Sequence, residues 1–201
     1  MTDPAARIIG LYRDNAARWD EDRPRNLIER AWLERFLDIV PAGGGVLDLG
    51  CGMGEPLAAF LAGRGLRITG VDTAPDLLDL ARARLPDQEW ILGDMRSLAL
   101  GRRFDGILAW DSFFHLTRDD QRRMFPVFRD HAAPGAALMF TSGPEDGEAF
   151  GEMWGETVYH ASLSPAEYRH LLESHGFDEV AHRAEDPDCG FHTVWLGRRR
   201  S

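Results

Sequence analysis

The chain is 201 residues long, 44% hydrophobic and formally charged at −10, which fits one domain with an ordinary buried core. An acidic balance of that size argues against a nucleic-acid surface, which needs a basic stripe, and disfavours contact with an anionic membrane. Two cysteines make no disulfide framework, and neither a charged-then-apolar leader nor an apolar run of membrane-spanning length is seen, so the expectation is a reduced, cytoplasmic protein.

In chain order, "PAARIIGLYRDNAARWDEDRP" places Ile8, Tyr12, Asn15 and Trp19 on one face of an amphipathic helix with an aromatic stripe. Pro24 resets the chain, "LIERAWLERFLDIV" reads as a second helix, and "PAGGG" ends it. The pattern then alternates. "GGVLDLG" is a buried strand, and Gly54-Glu55-Pro56 opens the helix "PLAAFLAGRG" with proline in its first turn. "LRITGVD" is a second strand, and Thr73 with Asp76 forms an acidic capping box for the helix "TAPDLLDLARARL". "EWILGD" and "FDGILAWD" are the third and fourth strands. Thr117 caps "RDDQRRMF", a helix that Pro126 must bend or end. "GAALMFTSG" is the fifth strand, and residues 142–163 read as a long connection rich in glycine and glutamate. Ser164 and Glu167 form a capping box for a helix stopped by Gly176. "FDEVAHRAE" and "FHTVWLGRR" close the chain as an antiparallel pair, before a solvated basic tail. Strand–helix alternation of this kind gives an α/β fold, a parallel sheet with helices on both faces and right-handed crossovers.

Chemistry concentrates in "VLDLGCGMGEP", at the carboxyl end of the first strand, where ligands of open α/β sheets bind. Gly50, Gly52 and Gly54 let the backbone pass close beneath a ligand. The spacing is G-x-G-x-G rather than the dinucleotide G-x-G-x-x-G, and no lysine exists anywhere to serve a Walker-type loop or a Schiff base. Asp48 and Glu55 flank the glycines, and unit charges about 4 Å apart interact by roughly 4 kcal/mol at an intermediate dielectric. Such walls oppose a pyrophosphate and favour a cation, which suits a nucleoside carrying a sulfonium and an ammonium. Asp72, about twenty residues past the glycines, suits the two ribose hydroxyls of an adenosine ligand. Asp94 can accept from the adenine amino group, with the Met95 N–H donating to the ring.

"VLDLGCGMGEP", "VDTAP", "LGDM" and "FDGILAWDSFFHL" together resemble the class I, Rossmann-like methyltransferases that use S-adenosyl-L-methionine and release S-adenosyl-L-homocysteine. The resemblance runs from about Val46 to the end. It implies a doubly wound sheet of seven strands, mostly parallel with the last antiparallel, and an N-terminal helical lid over residues 1–40 on a methyltransferase domain of residues 41–201. It assigns the methionyl part to Asp48 and the Gly50–Cys51–Gly52 backbone, the ribose side to Asp72, Thr73 and Leu77, and the adenine to Asp94 and Met95. Ala109 or Trp110 would offer its carbonyl to the ammonium. Tyr12, Trp19 and Arg23 would close over the cofactor from the lid.

Methyl transfer from a sulfonium is an in-line displacement, so the protein mainly aligns the reactants and excludes water. Where a base is needed, Asp111 and His115 are the candidates, with Tyr159 and His160 behind them. Trp154, Tyr159 and His160 in the long connection suit an aromatic-walled acceptor pocket with an acidic rim. After the fourth strand "AWDSFFH" stands where amide and exocyclic-base methyltransferases carry an Asn/Asp-Pro-Pro-aromatic run. The expectation is O- or N-methylation of a small molecule by a monomer or homodimer, without metal, since no histidine pair has zinc spacing. Alternatives are a cofactor-binding module without turnover, an NAD-type Rossmann oxidoreductase and, further off, an aminopropyl transferase.

Overall fold

The computed structural model describes residues 4–201. Among these, seven strands form one sheet in the order β3-β2-β1-β4-β5-β9-β8. They are β1 (Gly45–Leu49), β2 (Arg67–Asp72), β3 (Glu89–Leu92), β4 (Phe104–Ala109), β5 (Ala132–Ser142), β8 (Phe177–Asp186) and β9 (His192–Arg199). The first five pair in parallel, and β9 runs antiparallel between β5 and β8. This is the expected doubly wound sheet.

The inner strands read as continuous apolar runs because helices cover both faces. Their residues divide by the period-two rule of a strand. Val46, Leu108 and Met139 join one core with Trp32, Phe36 and Leu61, while Leu47, Ile107, Leu138 and Phe140 join the other with Phe113, Phe125, Phe128 and Trp195. The crossover helices are α4 (Leu57–Gly63), α5 (Pro75–Arg84), α6 (Arg118–His131) and α7 (Pro165–Ser174). The Thr117 and Ser164 side chains cap α6 and α7 as expected, accepting from the N–H groups of Asp120 and Glu167.

Of the two outcomes expected at Pro126, the helix does not end there: α6 continues to His131 with Phe125 and Phe128 fully buried among aromatic neighbours, packing that outweighs one lost hydrogen bond. Two other local expectations are corrected. Thr73 does not cap α5, whose N-cap is Ala74; the Asp72 carboxylate takes the Ala74 N–H instead, at 2.9 Å. Residues 142–163 are not a structureless connection but a hairpin of β6 (Gly147–Met153) and β7 (Glu156–Ser162), turning on Trp154 and Gly155, both at positive φ.

The first amphipathic segment is two helices, α1 (Pro4–Asp14) and α2 (Ala16–Asp22), parted at Asn15. α3 (Arg30–Leu37) buries Trp32, Leu33 and Phe36 in the main core, so only α1 and α2 lie over the sheet edge where the glycine turn sits.

Candidate active site

The carboxyl edges of β1, β2 and β4 and the underside of α1 and α2 line a cleft that opens to solvent. Its floor is the glycine turn. Gly50 N–H and Cys51 N–H both reach the Val71 carbonyl, at 2.8 and 3.2 Å, which ties the turn to β2. Gly50 has φ +74° and no room for a side chain, since a Cβ would stand 2.3 Å from that of Ser112. A Cβ on Gly52 would instead project under the lid, 3.7 Å from Trp19 Nε1, so its absence keeps the cleft open.

Asp72 ends β2 with one carboxylate oxygen accepting from Gly52 N–H at 2.8 Å and the other from Ala74 N–H at 2.9 Å. Burial pushes its carboxyl upward against those bonds. Asp48, 5% exposed, lines the same floor, and its carboxylate has no hydrogen-bond partner among the described residues. Burial, helped by the neighbouring Asp72 charge, raises it to about 7. An unpartnered buried carboxylate facing a cleft fits a ligand that brings a cation or a donor. Cys51 is buried beside both acids, which together with burial drive its thiol far up, so it is no nucleophile. Glu55 departs from expectation: Arg25 and Arg84 hold its carboxylate at 3.2 and 3.5 Å, so it adds little net charge to the cleft.

Thr73 and Leu77 line the wall beyond Asp72, and Asp94 and Met95 line it at the end of β3. The Asp94 carboxylate also takes the Arg96 N–H and guanidinium, and these outweigh burial to hold it below the usual range.

Above the cleft, α1, α2 and the β6–β7 hairpin meet through aromatic side chains. Trp19 and Tyr12 meet edge to face at 5.3 Å, and Trp154 at the hairpin tip meets both at 6.3 and 6.5 Å. Trp154 Nε1 donates to Asp22 of α2 at 2.8 Å. Tyr12 OH lies 3.2 Å from His115 Nε2, and His115 Nδ1 lies 3.0 Å from the Tyr159 carbonyl. A carbonyl only accepts, so Nδ1 carries the hydrogen and Nε2 offers its lone pair to the tyrosine hydroxyl. Burial holds the imidazole down at about 4, so the ring is neutral near pH 7. His160 lies 4.9 Å from the His115 ring.

Asp111 follows β4 with φ +50°, its N–H held by Thr141 Oγ1 at 2.9 Å. Neither carboxylate oxygen is free: Arg23 Nη1 donates to Oδ2 at 3.2 Å, and His192 Nε2 sits 2.8 Å from Oδ1. Arg23 also donates to Glu29 at 2.9 Å.

The cleft thus gathers every residue expected to hold the cofactor, and Asp111 and His115 with them. Trp154, Tyr159 and His160 do not line it; they stand behind the lid and His115. Sequence reasoning missed His192, Glu29 and Ser112. Their partners lie 81, 6 and 63 residues away, and only the Glu29 pair is near enough in sequence to leave a signal. Among the described residues no cluster of three or more His, Cys, Asp or Glu is placed to hold a metal ion.

Comparison with known proteins agrees with this geometry. Residues 46–135 match the family described as "Methyltransferase domain". The magnesium-protoporphyrin O-methyltransferase of Rhodobacter capsulatus is 31% identical over 157 residues, covering 74% of this chain and 67% of that protein. The dTDP-3-amino-3,4,6-trideoxy-alpha-D-glucopyranose N,N-dimethyltransferase of Streptomyces venezuelae is 33% identical over 101 residues, 49% of this chain and 42% of that one. Among solved structures, the DhpI–SAH complex superposes with a TM-score of 0.78 at 20% identity, covering 98% of both chains. Magnesium protoporphyrin IX methyltransferase from Synechocystis PCC 6803 superposes with a TM-score of 0.74 at 17% identity, covering 99% of this chain and 98% of that one. Sheet order, cleft and sequence kinship lead to one assignment: the chain belongs to the class I S-adenosylmethionine-dependent methyltransferases.

Proposed function

We propose that this methyltransferase acts on a small-molecule acceptor, by O- or N-methylation, with α1 and α2 of the N-terminal segment supplying the lid while α3 packs with the catalytic domain. The observation that carries the cofactor's orientation is Asp48, a buried carboxylate without a hydrogen-bond partner among the described residues, set on the floor of the cleft. It receives the ammonium of the methionyl part. Arg23, with three of its five N–H groups left after Glu29 and Asp111, receives the carboxylate at the same end. Asp72 takes the ribose hydroxyls with its remaining lone pairs. Asp94 and Met95 take the adenine edge, while Thr73, Leu77 and the Trp110 carbonyl line the walls.

S-adenosylmethionine, when bound, supplies an electrophilic methyl group on sulfur. The protein's part is alignment and exclusion of water. Tyr12, Trp19 and Trp154 seal the cleft from above. His115 can take a proton from a hydroxyl or amine at Nε2 once Tyr12 OH gives way, because Nδ1–H stays fixed on the Tyr159 carbonyl. Asp111, with both oxygens engaged, acts by holding Arg23 rather than as a base.

The relatives' names include an O-methyltransferase and sugar N,N-dimethyltransferases, so hydroxyl, carboxyl and amine acceptors are the classes to try. Net charge −10 supports a substrate other than nucleic acid, and no helix among the described residues is long and apolar enough to cross a membrane. The reading adds a cytoplasmic setting and a monomer or homodimer. Calorimetric titration with S-adenosylmethionine, S-adenosylhomocysteine and NAD, followed by transfer of labelled methyl to a panel of those acceptors, tests it. Binding of the first two and labelling of one acceptor class is expected; binding of NAD alone would overturn it.

A further inference from the structure

His192 opens β9 and is not part of the glycine turn or the lid. Its two ring nitrogens both face acceptors: Nδ1 lies 2.6 Å from the Cys189 carbonyl and Nε2 lies 2.8 Å from Asp111 Oδ1. A neutral imidazole has one N–H and cannot serve both. Asp111 already accepts from the Arg23 guanidinium at Oδ2 and presents Oδ1 to the ring as a second acceptor, so both hydrogens belong to the ring and His192 is an imidazolium. Its titration agrees, being raised by the Asp111 hydrogen bond against the opposing effect of burial.

The pair extends into a row of alternating charge: Glu29, Arg23, Asp111, His192. With His192 charged the row sums to zero. With His192 neutral it sums to −1, on the wall of the cleft where Arg23 faces the ligand. The other groups packed around the ring do not offset the change. Cys189 presents a buried thiol held up at about 12, Trp110 presents a ring at 5.3 Å, and Asp186, beside His192 in the β8–β9 pair, is engaged by Trp32 Nε1 and Arg183.

We infer that His192 is a positioning residue of the cofactor site: as an imidazolium it neutralises Asp111 and leaves Arg23 free to hold the carboxylate of an amino-acid-bearing nucleoside. The inference rests on the proposed orientation, with that carboxylate at Arg23. Loss of one unit charge roughly 10 Å from a carboxylate, at an effective dielectric of about 20, weakens binding about tenfold. The sign follows from the raised titration. The contribution of His192 to affinity is full below the ordinary imidazole range and declines as pH rises through the higher value His192 has in the folded chain.

The test is calorimetric titration from about pH 6 to about pH 9 with two probes, S-adenosylhomocysteine and its decarboxylated analogue, which keeps the ammonium but lacks the carboxylate. Titrations common to both probes, that of Asp48 among them, cancel in the comparison. The expected result is a roughly tenfold decline in the affinity for S-adenosylhomocysteine relative to that for its decarboxylated analogue. In His192→Gln, S-adenosylhomocysteine binds weakly at the acid end and the two probes run parallel. Parallel profiles for both probes in the unaltered protein overturn the inference while leaving the cofactor reading intact. Failure of S-adenosylhomocysteine to bind at any pH overturns both. The comparison in the unaltered protein decides the matter even where His192→Gln folds poorly.

Discussion

Asp48→Asn should make the ligand-free protein more stable at alkaline pH and less able to hold its cofactor. Asp48 titrates at about 7 in the fold against an ordinary 3.8, because it is buried and sits beside Asp72. A raised acid favours folding fully at pH values below its ordinary range and loses that contribution as pH climbs to its folded value. Across that window the loss comes to about 4 kcal/mol, an order-of-magnitude figure, and it is complete above about pH 7. Asparagine removes the charge but leaves an amide with no partner, which costs about 1–3 kcal/mol. The net gain near pH 8 is therefore about 1–3 kcal/mol, or roughly 2–10 °C in Tm for a chain of this size. Near pH 5 the wild-type carboxyl is mostly protonated and the gain shrinks to about zero. Thermal melts of ligand-free protein at the two pH values read this directly. Saturating S-adenosylhomocysteine should then raise the wild-type melting point and leave the variant almost unmoved, since about 2.7 kcal/mol accrues only at a hundred times the dissociation constant. An advantage that is absent at pH 8, or equal at both pH values, would refute the reasoning.

Asp72→Asn should weaken S-adenosylhomocysteine binding by about 10–100-fold in calorimetry, because the amide also keeps an acceptor for only one of the Gly52 and Ala74 N–H groups and sets a donor against the other; unchanged affinity would remove Asp72 from the site. Trp154→Ala loses the Asp22 hydrogen bond and two aromatic contacts of about 0.5–1.5 kcal/mol each. Amides of α1 and α2 should then exchange faster with deuterium while those of β1 and β4 do not, and uniform exchange would show that the hairpin does not hold the lid. In Tyr168→Phe the variant loses an OH that bonds Gln121 Oε1 at 2.6 Å and the Leu163 N–H at 3.1 Å. Two buried groups left unpaired should cost about 2–4 kcal/mol in denaturant unfolding with cofactor affinity intact, and a loss well below 1 kcal/mol would contradict that accounting.

The central strands were legible because each is an apolar run of strand length that ends in glycine or an acid, and because parallel strands bury both faces. The hairpin was not. β6 is exposed nearly throughout, its Gly147, Glu148, Gly151 and Glu152 show no apolar alternation, and its turn uses Trp154-Gly155 rather than the Asn-Gly that signals such a bend. Within the site, residues on one strand-to-helix turn could be read together from their spacing. The partners of Asp111 could not, since Arg23 comes from the lid and His192 from β9, two strands across the sheet. Arg23 stands beside Asp20 and Asp22 in the sequence, yet the fold turns it to Glu29 and Asp111 and gives Asp20 to Arg25 and Arg84.

The charge reasoning drawn from the glycine turn survives in altered form. Glu55, one of its two acids, is matched by arginines and carries little of the argument. What replaces it is the fate of the backbone donors. A loop that cradles phosphate must leave its N–H groups pointing at the ligand. Here those of Gly50 and Cys51 are bound to Val71, that of Gly54 to Cys51 and that of Gly52 to Asp72. An anion would meet consumed donors and two buried carboxylates, whereas a cation meets Asp48 with its lone pairs uncommitted. The turn selects its ligand less by the number of glycines than by which atoms the surrounding strands leave unpaired.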